Sequence, residues 1–273
     1  MSKAFKPRRT ALYVPASNAR ALEKARALDA DAIILDLEDA VAPEAKDAAR
    51  ARAAAAVAGF APRETVIRIN PAFTPWHEDD IGAAIAAGPD AILLPKVSDA
   101  GQVRATRART GGVPLWAMIE TPAAVLNAAA IAHADVECLV LGGNDLVHGL
   151  QARHRPDRAN LAAAMSLTVL AARAAGIAVL DGVHNDLDDE DGFAAACAMA
   201  RDWGFDGKTV IHPRQIAPAN AAFSPTAAEI AHARRVLAAF AAHPGQAAIA
   251  LDGRMMEALD ADMAARTLAR AGL

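Results

Sequence analysis

The chain has 273 residues and a mass of 28.2 kDa, which exceeds an average domain and matches the usual size of one α/β barrel. Apolar residues make up 54% of it, and 28 Lys and Arg stand against 32 Asp and Glu, so we expect a large core and no nucleic-acid or anionic-membrane partner. Two cysteines cannot build a disulfide framework, and no apolar run suits a signal peptide or a membrane span. We therefore expect a reduced, cytoplasmic, globular protein.

Short apolar segments alternate along the chain with Ala-rich segments of helical period. The predicted strands are Thr10–Pro15, Ala32–Leu37, Thr65–Asn70, Ala91–Pro95, Leu115–Glu120, Cys138–Gly142, Ile177–Asp181 and Lys208–His212. The predicted helices between them are Asn18–Leu28, Pro43–Ala58, Asp80–Ala87, Ala100–Thr110, Pro122–His133, Arg158–Ala175 and Asp189–Trp203. The strands are almost continuously apolar, as in a parallel sheet covered on both faces. This order predicts a (β/α)8 TIM barrel, with an open doubly wound sheet as the alternative.

The end of the chain carries more than a barrel needs. A last predicted helix, Pro225–Ala242, precedes a break at residues 243–246. We assign residues 1–242 to the barrel as the catalytic domain and residues 243–273 to a C-terminal helical extension. The extension combines a short apolar stretch, an Asp-Gly turn and an amphipathic helix, and we expect it to contact a neighbouring subunit.

Ionisable or amide side chains lie at or just after most of the predicted strand ends. They are Asp36, Glu38, Asp39, Arg68, Asn70, Lys96, Glu120, Asn144, Asp145, Asp181, His184, Asp186 and His212. The carboxyl ends of barrel strands meet at one face, so these groups predict a single site there. Each also has an ordinary interpretation: a carboxylate can bond rim amides, a histidine can bond the rim, and Lys96 can be a solvated lysine or can anchor an anion. A Schiff-base role for Lys96 is disfavoured, because acidic neighbours would raise its pKa.

Glu120 and Asp145 follow the fifth and sixth strands, which are neighbours in the predicted barrel. Two carboxylates held close together repel each other unless one is protonated or a cation bridges them. Mg²⁺ takes one or two carboxylates and leaves positions for water and substrate oxygens. Gly142 and Gly143 would allow a close approach of the backbone just before Asp145. The pattern therefore predicts a magnesium site.

Several segments are similar to the citrate lyase β-subunit family, which includes malyl-CoA and citramalyl-CoA lyases and belongs to the HpcH/HpaI aldolase superfamily. These segments are LYVPASN (12–18), DAIILDLEDAVAPEAKDAAR (31–50), VIRIN (66–70), DAILLPKV (90–97), AMIETPAAVLN (117–127), LVLGGNDL (139–146), AARAAGI (171–177) and GFDGKTVIHPRQIAPANAAFSPTAAEI (204–230). The resemblance runs from about Arg9 to the end of the chain with the motif order preserved. It implies a TIM barrel, Mg²⁺ and an acyl-CoA substrate, in a homotrimer or hexamer.

The resemblance also implies roles for single residues. Arg68 would hold the substrate carboxylate and act in catalysis, Glu120 and Asp145 would bind the metal, and Glu120 would also contact substrate. Lys96, from its position at a strand end rather than from the resemblance, is a further candidate for substrate binding. Glu38 and Asp39, with Asp36 as a further catalytic candidate, would lie near the metal's water ligands. Asp252, in Leu251-Asp252-Gly253-Arg254-Met255, would be an acid/base contributed by a neighbouring subunit. One departure stands out: many relatives have Ala-Glu-Asp where this chain has Gly143-Asn144-Asp145.

These inferences predict a Mg²⁺-dependent carbon–carbon lyase that cleaves a 3-hydroxyacyl-CoA dicarboxylate to acetyl-CoA and a 2-oxo acid. A malyl-CoA-type thioesterase, an HpaI-type aldolase acting on free 2-oxo acids, and a non-catalytic subunit of a citrate lyase-like assembly remain as alternatives. Basic residues Arg8, Arg9, Arg20 and Lys24 would meet CoA phosphates if they lie near the mouth of the barrel.

Overall fold

The structure, a computed structural model, describes residues 6–273. Eight parallel strands form a closed barrel in which each strand pairs with its neighbours in the chain and β1 pairs with β8. The strands are β1 (Thr10–Pro15), β2 (Ala32–Asp36), β3 (Glu64–Arg68), β4 (Ala91–Leu94), β5 (Leu115–Ile119), β6 (Cys138–Leu141), β7 (Ala178–Asp181) and β8 (Gly207–Val210). The predicted TIM barrel is confirmed, and the open sheet is excluded.

Helices follow the strands in the expected order. They are α1 (Ala19–Ala25), α2 (Lys46–Ala56), α3 (His77–Ala87), α4 (Ala100–Arg107), α5 (Pro122–Leu126), α6 (Ala128–Ala132), α7 (Gly143–Gly149), α8 (Ala162–Ala175), α9 (Glu190–Asp202) and α10 (Ile216–Phe223). The side chains of Asn18, Asp99, Thr121 and Asp189 accept backbone N–H groups at helix starts. The single helix predicted over Pro122–His133 divides at Asn127, and α7 and α10 were not predicted.

Alternate residues of the strands fill the interior of the barrel. Its buried core includes Ala32 and Ile34 of β2, Val66 of β3, and Trp116 and Met118 of β5. Because side chains alternate across a strand, the next inward positions are Asp36, Arg68 and Glu120. The apolar series on these three strands thus ends in charged groups at the carboxyl face, which positions the site.

The chain divides into two compact units, one of residues 8–220 and one that includes residues 221–273. The second unit contains α11 (Ala227–Ala242), an antiparallel hairpin of β9 (Ala248–Leu251) and β10 (Arg254–Glu257), and α12 (Ala258–Arg270). Helix α11 begins with a capping box between Thr226 and Glu229. The unit begins near residue 221, so α11 groups with the tail, whereas the sequence assigned that helix to the barrel. The amphipathic tail helix was predicted, and the hairpin was not.

In the part of the chain from residue 6 onward, no helix is both long and apolar enough to cross a membrane.

Candidate active site

A cavity of about 350 Å³ lies at the carboxyl ends of the strands. Its polar lining consists of Asp36, Asp39, Arg68, Glu120, Asn144, Asp145, Asn185 and Thr209, and Tyr13 and Met118 supply much of its apolar wall. The structure therefore brings six of the thirteen residues singled out in the sequence into the lining of one cavity. The lining mixes several carboxylates with one guanidinium, a composition suited to a cation and an anionic ligand together.

Arg68 is held by a two-point ion pair that the strand register creates. Asp36 and Arg68 are partners across the β2–β3 ladder, and Arg68 Nε and Nη2 each donate to an Asp36 oxygen at 2.7 Å. The guanidinium stacks 4.8 Å from the centre of the Tyr13 ring. Burial disfavours its charge, but Asp36, Tyr13 and Glu38 outweigh burial and hold the pKa of Arg68 well above its usual value. Asp36 thus occupies the Nε–Nη2 edge of the guanidinium. On the other edge, Nη1 makes a long contact with Met118 Sδ at 3.9 Å and lies beside Glu38, and the remaining N–H groups of Nη1 and Nη2 can bind a ligand.

Glu38 is a buried carboxylate between two cations. Its Oε2 lies 2.8 Å from Arg68 Nη1 without hydrogen-bonding geometry, and its Oε1 lies 3.3 Å from Lys96 Nζ. Burial raises the pKa of Glu38 to about 7, although Arg68 opposes the shift. Asp39, which is mostly exposed, lies 3.6 Å from Arg68 Nη1 and 3.8 Å from Lys96 Nζ. Both acids that follow β2 therefore face the same two positive charges.

Glu120 is almost fully buried at the end of β5. Its Oε1 accepts the backbone N–H of Lys96 at 2.5 Å, whereas Oε2 has no hydrogen-bond partner within residues 6–273. Burial raises the pKa of Glu120 to about 7 against the opposing charge of Lys96. Gly142 packs directly on this side chain, since a Cβ there would lie 2.3 Å from Glu120 Cβ and 2.5 Å from Oε2. The predicted close approach is confirmed at Gly142, whereas a Cβ at Gly143 would meet its nearest atom at 3.6 Å.

Asp145 lies in the first turn of α7, a helix that starts immediately after β6. Lys96 Nζ donates to Asp145 Oδ1 at 2.6 Å, and the Asp145 charge contributes to the raised pKa of Glu120. In residues 6–273, no three His, Cys, Asp or Glu side chains form a ready-made metal cage. Two carboxylates, one with an unpartnered buried oxygen, nevertheless fit Mg²⁺, which completes its coordination with water and substrate. They do not suit a structural zinc site, which needs four protein ligands.

Lys96 connects the two carboxylates through two different groups. Its backbone has φ of 53°, a left-handed conformation that few non-glycine residues adopt. Burial alone would lower the pKa of Lys96, but Glu120, Asp145 and Glu38 outweigh it and raise the pKa. The expected rise in the pKa of Lys96 beside acidic neighbours is thus confirmed.

Asparagine pairing closes one side of the cavity. Asn144 Nδ2 donates to Asn185 Oδ1 at 3.2 Å, and Asn185 Nδ2 donates to Asn144 Oδ1 at 2.7 Å. This pair joins the segments that follow β6 and β7. Asn144 is thus a neutral amide at the rim, held by a second amide, Asn185, that the sequence did not single out.

Asp181 does not point into the cavity as the sequence suggested. Leu180 belongs to the inner core, so Asp181 faces the helix layer, where it pairs with Lys208 Nζ at 2.5 Å and with Arg158 at 2.5 and 2.8 Å. Burial would raise the pKa of Asp181, but the two cations lower it to about 2. The sequence missed both cations, although a lysine inside an apolar strand such as β8 is itself a signal of a buried ion pair.

A buried lysine that the sequence also missed braces the ends of β2 and β3. Lys46 Nζ donates to the carbonyls of Leu37 and Glu38 at 2.7 and 2.8 Å and to Asn70 Oδ1 at 2.6 Å. Asn70, which was a candidate site residue, donates to Asp80 through its side chain at 2.6 Å. Asn70 therefore serves this bracing network.

The remaining ionisable candidates lie in the rim segments, where His184 Nε2 is buried without a hydrogen-bond partner among the described residues. His184 Nε2 lies 3.7 Å from Asp189, and burial lowers the pKa of His184. His212 accepts the Arg214 N–H at the start of a short 3₁₀ turn, and Asp186 accepts the N–H groups of Asp188 and Asp189. These residues shape the rim segments around the cavity.

The basic residues proposed for CoA phosphates divide between the two ends of the barrel. Arg8 forms a buried ion pair with Glu64 at 2.6 Å, and Arg9 pairs with Asp31 at 2.7 Å; both lie at the amino ends of strands, opposite the cavity. The expectation for these two was wrong, because each precedes β1 in the chain. Arg20 and Lys24 lie exposed on α1, which follows the carboxyl end of β1.

Asp252 lies in the turn between β9 and β10, with φ of 50°, and pairs with Arg235 of α11 at 2.8 Å. Its role as a shared acid/base stays a prediction. Cys138 and Cys197 are free and buried, as expected for core residues.

Comparison with known proteins places the chain among enzymes of one family. The HpcH/HpaI aldolase/citrate lyase family profile matches residues 9–213. The chain is 48% identical to a (3S)-malyl-CoA thioesterase of Cereibacter sphaeroides over 97% of this chain and 95% of that protein. It is 35% identical to the citrate lyase subunit β of Escherichia coli over 97% and 94%.

Solved structures give the same result. The Mycobacterium tuberculosis protein CitE, crystallised with magnesium, acetoacetate and coenzyme A, matches with a TM-score of 0.84 and 33% identity over the full length of both chains. The citrate lyase β subunit of the same organism, crystallised with oxaloacetate and magnesium, matches with a TM-score of 0.72 and 34% identity over 79% of this chain and 96% of that one. The predicted family is thereby confirmed: this chain belongs to the HpcH/HpaI aldolase/citrate lyase family.

Proposed function

We propose that this chain is a Mg²⁺-dependent enzyme that acts on the CoA thioester of a 3-hydroxy dicarboxylic acid of the malyl type. The observation that carries the proposal is the single cavity lined by Arg68, Glu120 and Asp145. It offers a guanidinium edge for the distal carboxylate of the substrate and two carboxylates for the metal. Neighbouring structures crystallised with magnesium, coenzyme A and small oxo acids support this assignment.

Glu120 and Asp145 would hold the magnesium ion. When bound, the ion would supply Lewis-acid stabilisation of negative charge on a substrate oxygen. Arg68 would bind the carboxylate of the substrate through its Nη1 and Nη2 donors, because Asp36 already occupies the Nε edge. Asp36 would therefore act by orienting Arg68, and Tyr13 and Met118 would limit access of water to the guanidinium.

For the reaction, we propose hydrolysis of the thioester bond, which converts malyl-CoA and water to malate and free CoA. The support is the 48% identity to malyl-CoA thioesterases over nearly the whole chain, against 34–36% for the citrate lyase β subunits. Carbon–carbon cleavage to acetyl-CoA and a 2-oxo acid, the reaction favoured by the sequence, is the second candidate. It is supported by the citrate lyase relatives and by neighbours crystallised with oxaloacetate and pyruvate.

Asp252 would serve as the acid/base for either reaction if a second copy of the chain brings it to the cavity, as in a homotrimer. Its support is the exposed position at a hairpin turn, where its carboxylate is more than half accessible. The pair with Arg235 at 2.8 Å fixes the direction of the carboxylate.

The decisive experiment is incubation of the purified protein with malyl-CoA, citramalyl-CoA and citryl-CoA, each with and without Mg²⁺, with products separated by mass. Free CoA with the intact hydroxy acid identifies hydrolysis, whereas acetyl-CoA with a 2-oxo acid identifies cleavage. Turnover of free hydroxy acids without CoA would refute the thioester assignment.

The metal assignment has its own controls. Glu120→Gln and Asp145→Asn should each abolish Mg²⁺-dependent turnover without loss of secondary structure, whereas Asp188→Asn, at an exposed acid outside the cavity, should not. Rates like those of the wild type in either of the first two variants would place the metal elsewhere.

A further inference from the structure

The positive charge nearest to the two candidate metal ligands is the ammonium group of Lys96. It contacts Asp145 Oδ1 at 2.6 Å and lies 3.3 Å from Glu38 Oε1 and 3.8 Å from Asp39 Oδ2. The backbone N–H of the same residue binds Glu120. Lys96 thus contacts both candidate metal ligands: its ammonium group contacts Asp145, and its backbone N–H contacts Glu120.

The carboxylates around the cavity outnumber the positive charges beside them. Asp36, Glu38, Asp39, Glu120 and Asp145 surround the cavity with two cations, Arg68 and Lys96. Arg68 is bound to Asp36 by two hydrogen bonds and lies beside Glu38 and Asp39, whereas Lys96 is the cation that contacts Asp145 among the described residues. Without Lys96 the carboxylates there would repel one another, because like charges in a partly buried site are poorly screened.

The backbone of Lys96 has a left-handed conformation at this position. A left-handed conformation is unfavourable at a lysine and persists only where the surroundings impose it. Here the 2.5 Å hydrogen bond to Glu120 and the ion pair to Asp145 impose it together.

We propose that the Lys96 ammonium is the counter-ion of Asp145 in the metal-free protein, and that Mg²⁺ competes with it for that carboxylate. The inference rests on the proposed metal site at Glu120 and Asp145. It assigns to Lys96 a role distinct from substrate binding: the lysine lets the acidic site fold before the metal arrives and weakens metal binding in return. Both cations are drawn to the same oxygen, so removal of one strengthens the binding of the other.

The test is calorimetric titration of Mg²⁺ into chelator-treated protein at constant ionic strength. Lys96→Met keeps the approximate length of the side chain and the left-handed backbone at this position but removes the positive charge. It should lower the Kd for Mg²⁺ about tenfold. Lys96→Arg keeps the charge and should stay within about threefold of the wild type. Lys24→Met, at an exposed lysine on α1, should leave the Kd unchanged. Equal or weaker Mg²⁺ binding by Lys96→Met overturns the proposal.

A second measurement uses the wild-type protein, in case Lys96→Met does not fold. Brief acetylation with acetic anhydride, followed by peptide mass analysis, reports the accessibility of each lysine amine. Mg²⁺ should increase the labelling of Lys96 relative to Lys24 severalfold, and unchanged labelling overturns the competition. Absence of Mg²⁺ binding in the wild type and in Lys96→Met alike removes the metal site itself, and the inference with it.

Discussion

The buried cluster of Asp181, Lys208 and Arg158 gives the sharpest test of how charge stabilises this barrel. Asp181→Asn keeps the size of the side chain but removes the only negative charge between the two cations among the described groups. The two cations lower the pKa of Asp181 to about 2, which corresponds to about 2–3 kcal/mol of stabilisation by its ionised form. The substitution also leaves Lys208 and Arg158 facing each other, so we expect a total loss of about 3–4 kcal/mol at pH 7.

The direction in which stability changes with pH follows from the lowered pKa of Asp181. Because the pKa is depressed in the folded state, the stabilisation is complete above about pH 4 and is lost as the pH falls toward 2. The free-energy difference between wild type and Asp181→Asn should therefore be constant from pH 7 down to about 5 and shrink below 4. Urea unfolding followed by circular dichroism, at one protein concentration and several pH values, measures it.

Two further variants make this result specific. Asp188→Asn, at an almost fully exposed acid, should change the free energy of unfolding by less than about 0.5 kcal/mol. Adding Lys208→Met to Asp181→Asn removes the uncompensated ammonium and should recover part of the loss. A loss below 1 kcal/mol at pH 7, or one independent of pH, would refute the reasoning.

Three other predictions concern the cavity. Gly142→Ala should displace the Glu120 carboxylate and lower Mg²⁺-dependent turnover at least about a hundredfold. Gly143→Ala should keep turnover within about threefold of the wild type, because there is room for a methyl group at this position. Equal effects of the two substitutions would contradict the packing argument. Arg68→Lys should raise the KM about tenfold or more, because an ammonium group cannot form the two hydrogen bonds to Asp36 and bind a substrate carboxylate at the same time. Steady-state kinetics measure this change. Mixing inactive Asp252→Asn with inactive Glu120→Gln should restore part of the activity if the site is shared between subunits, and no recovery in verified mixed oligomers would speak against it.

The sequence predicted the barrel well because its signals are local. Continuous apolar runs identify strands covered on both faces, and the observed strands differ from the predicted ones by only one or two residues at their ends. Helix α7 was missed because it begins with two glycines, Gly142 as its cap and Gly143 as its first residue, which resemble a loop in sequence.

The site was only partly predictable, because it depends on which face of a strand a residue occupies. Asp36, Arg68 and Glu120 continue the inward period of their strands, and their convergence could be expected. Asp181 follows the same rule with the opposite phase and faces the helices, which the sequence alone did not reveal because the other residues of β7 are all apolar. The contact of Lys96 with Asp145 joins residues 49 positions apart through a left-handed backbone that no propensity predicts.

The ion pair between Arg8 and Glu64 lies at the end of the barrel opposite the cavity, with the guanidinium 4.9 Å from the centre of the Trp116 ring. Trp116 fills the bottom of the interior, and the apolar layer above it separates this pair from the charged mouth. This pair thus stabilises the amino end of the barrel at a distance from the charged mouth. Substitution of Arg8 or Glu64 should therefore lower the free energy of unfolding with little effect on turnover.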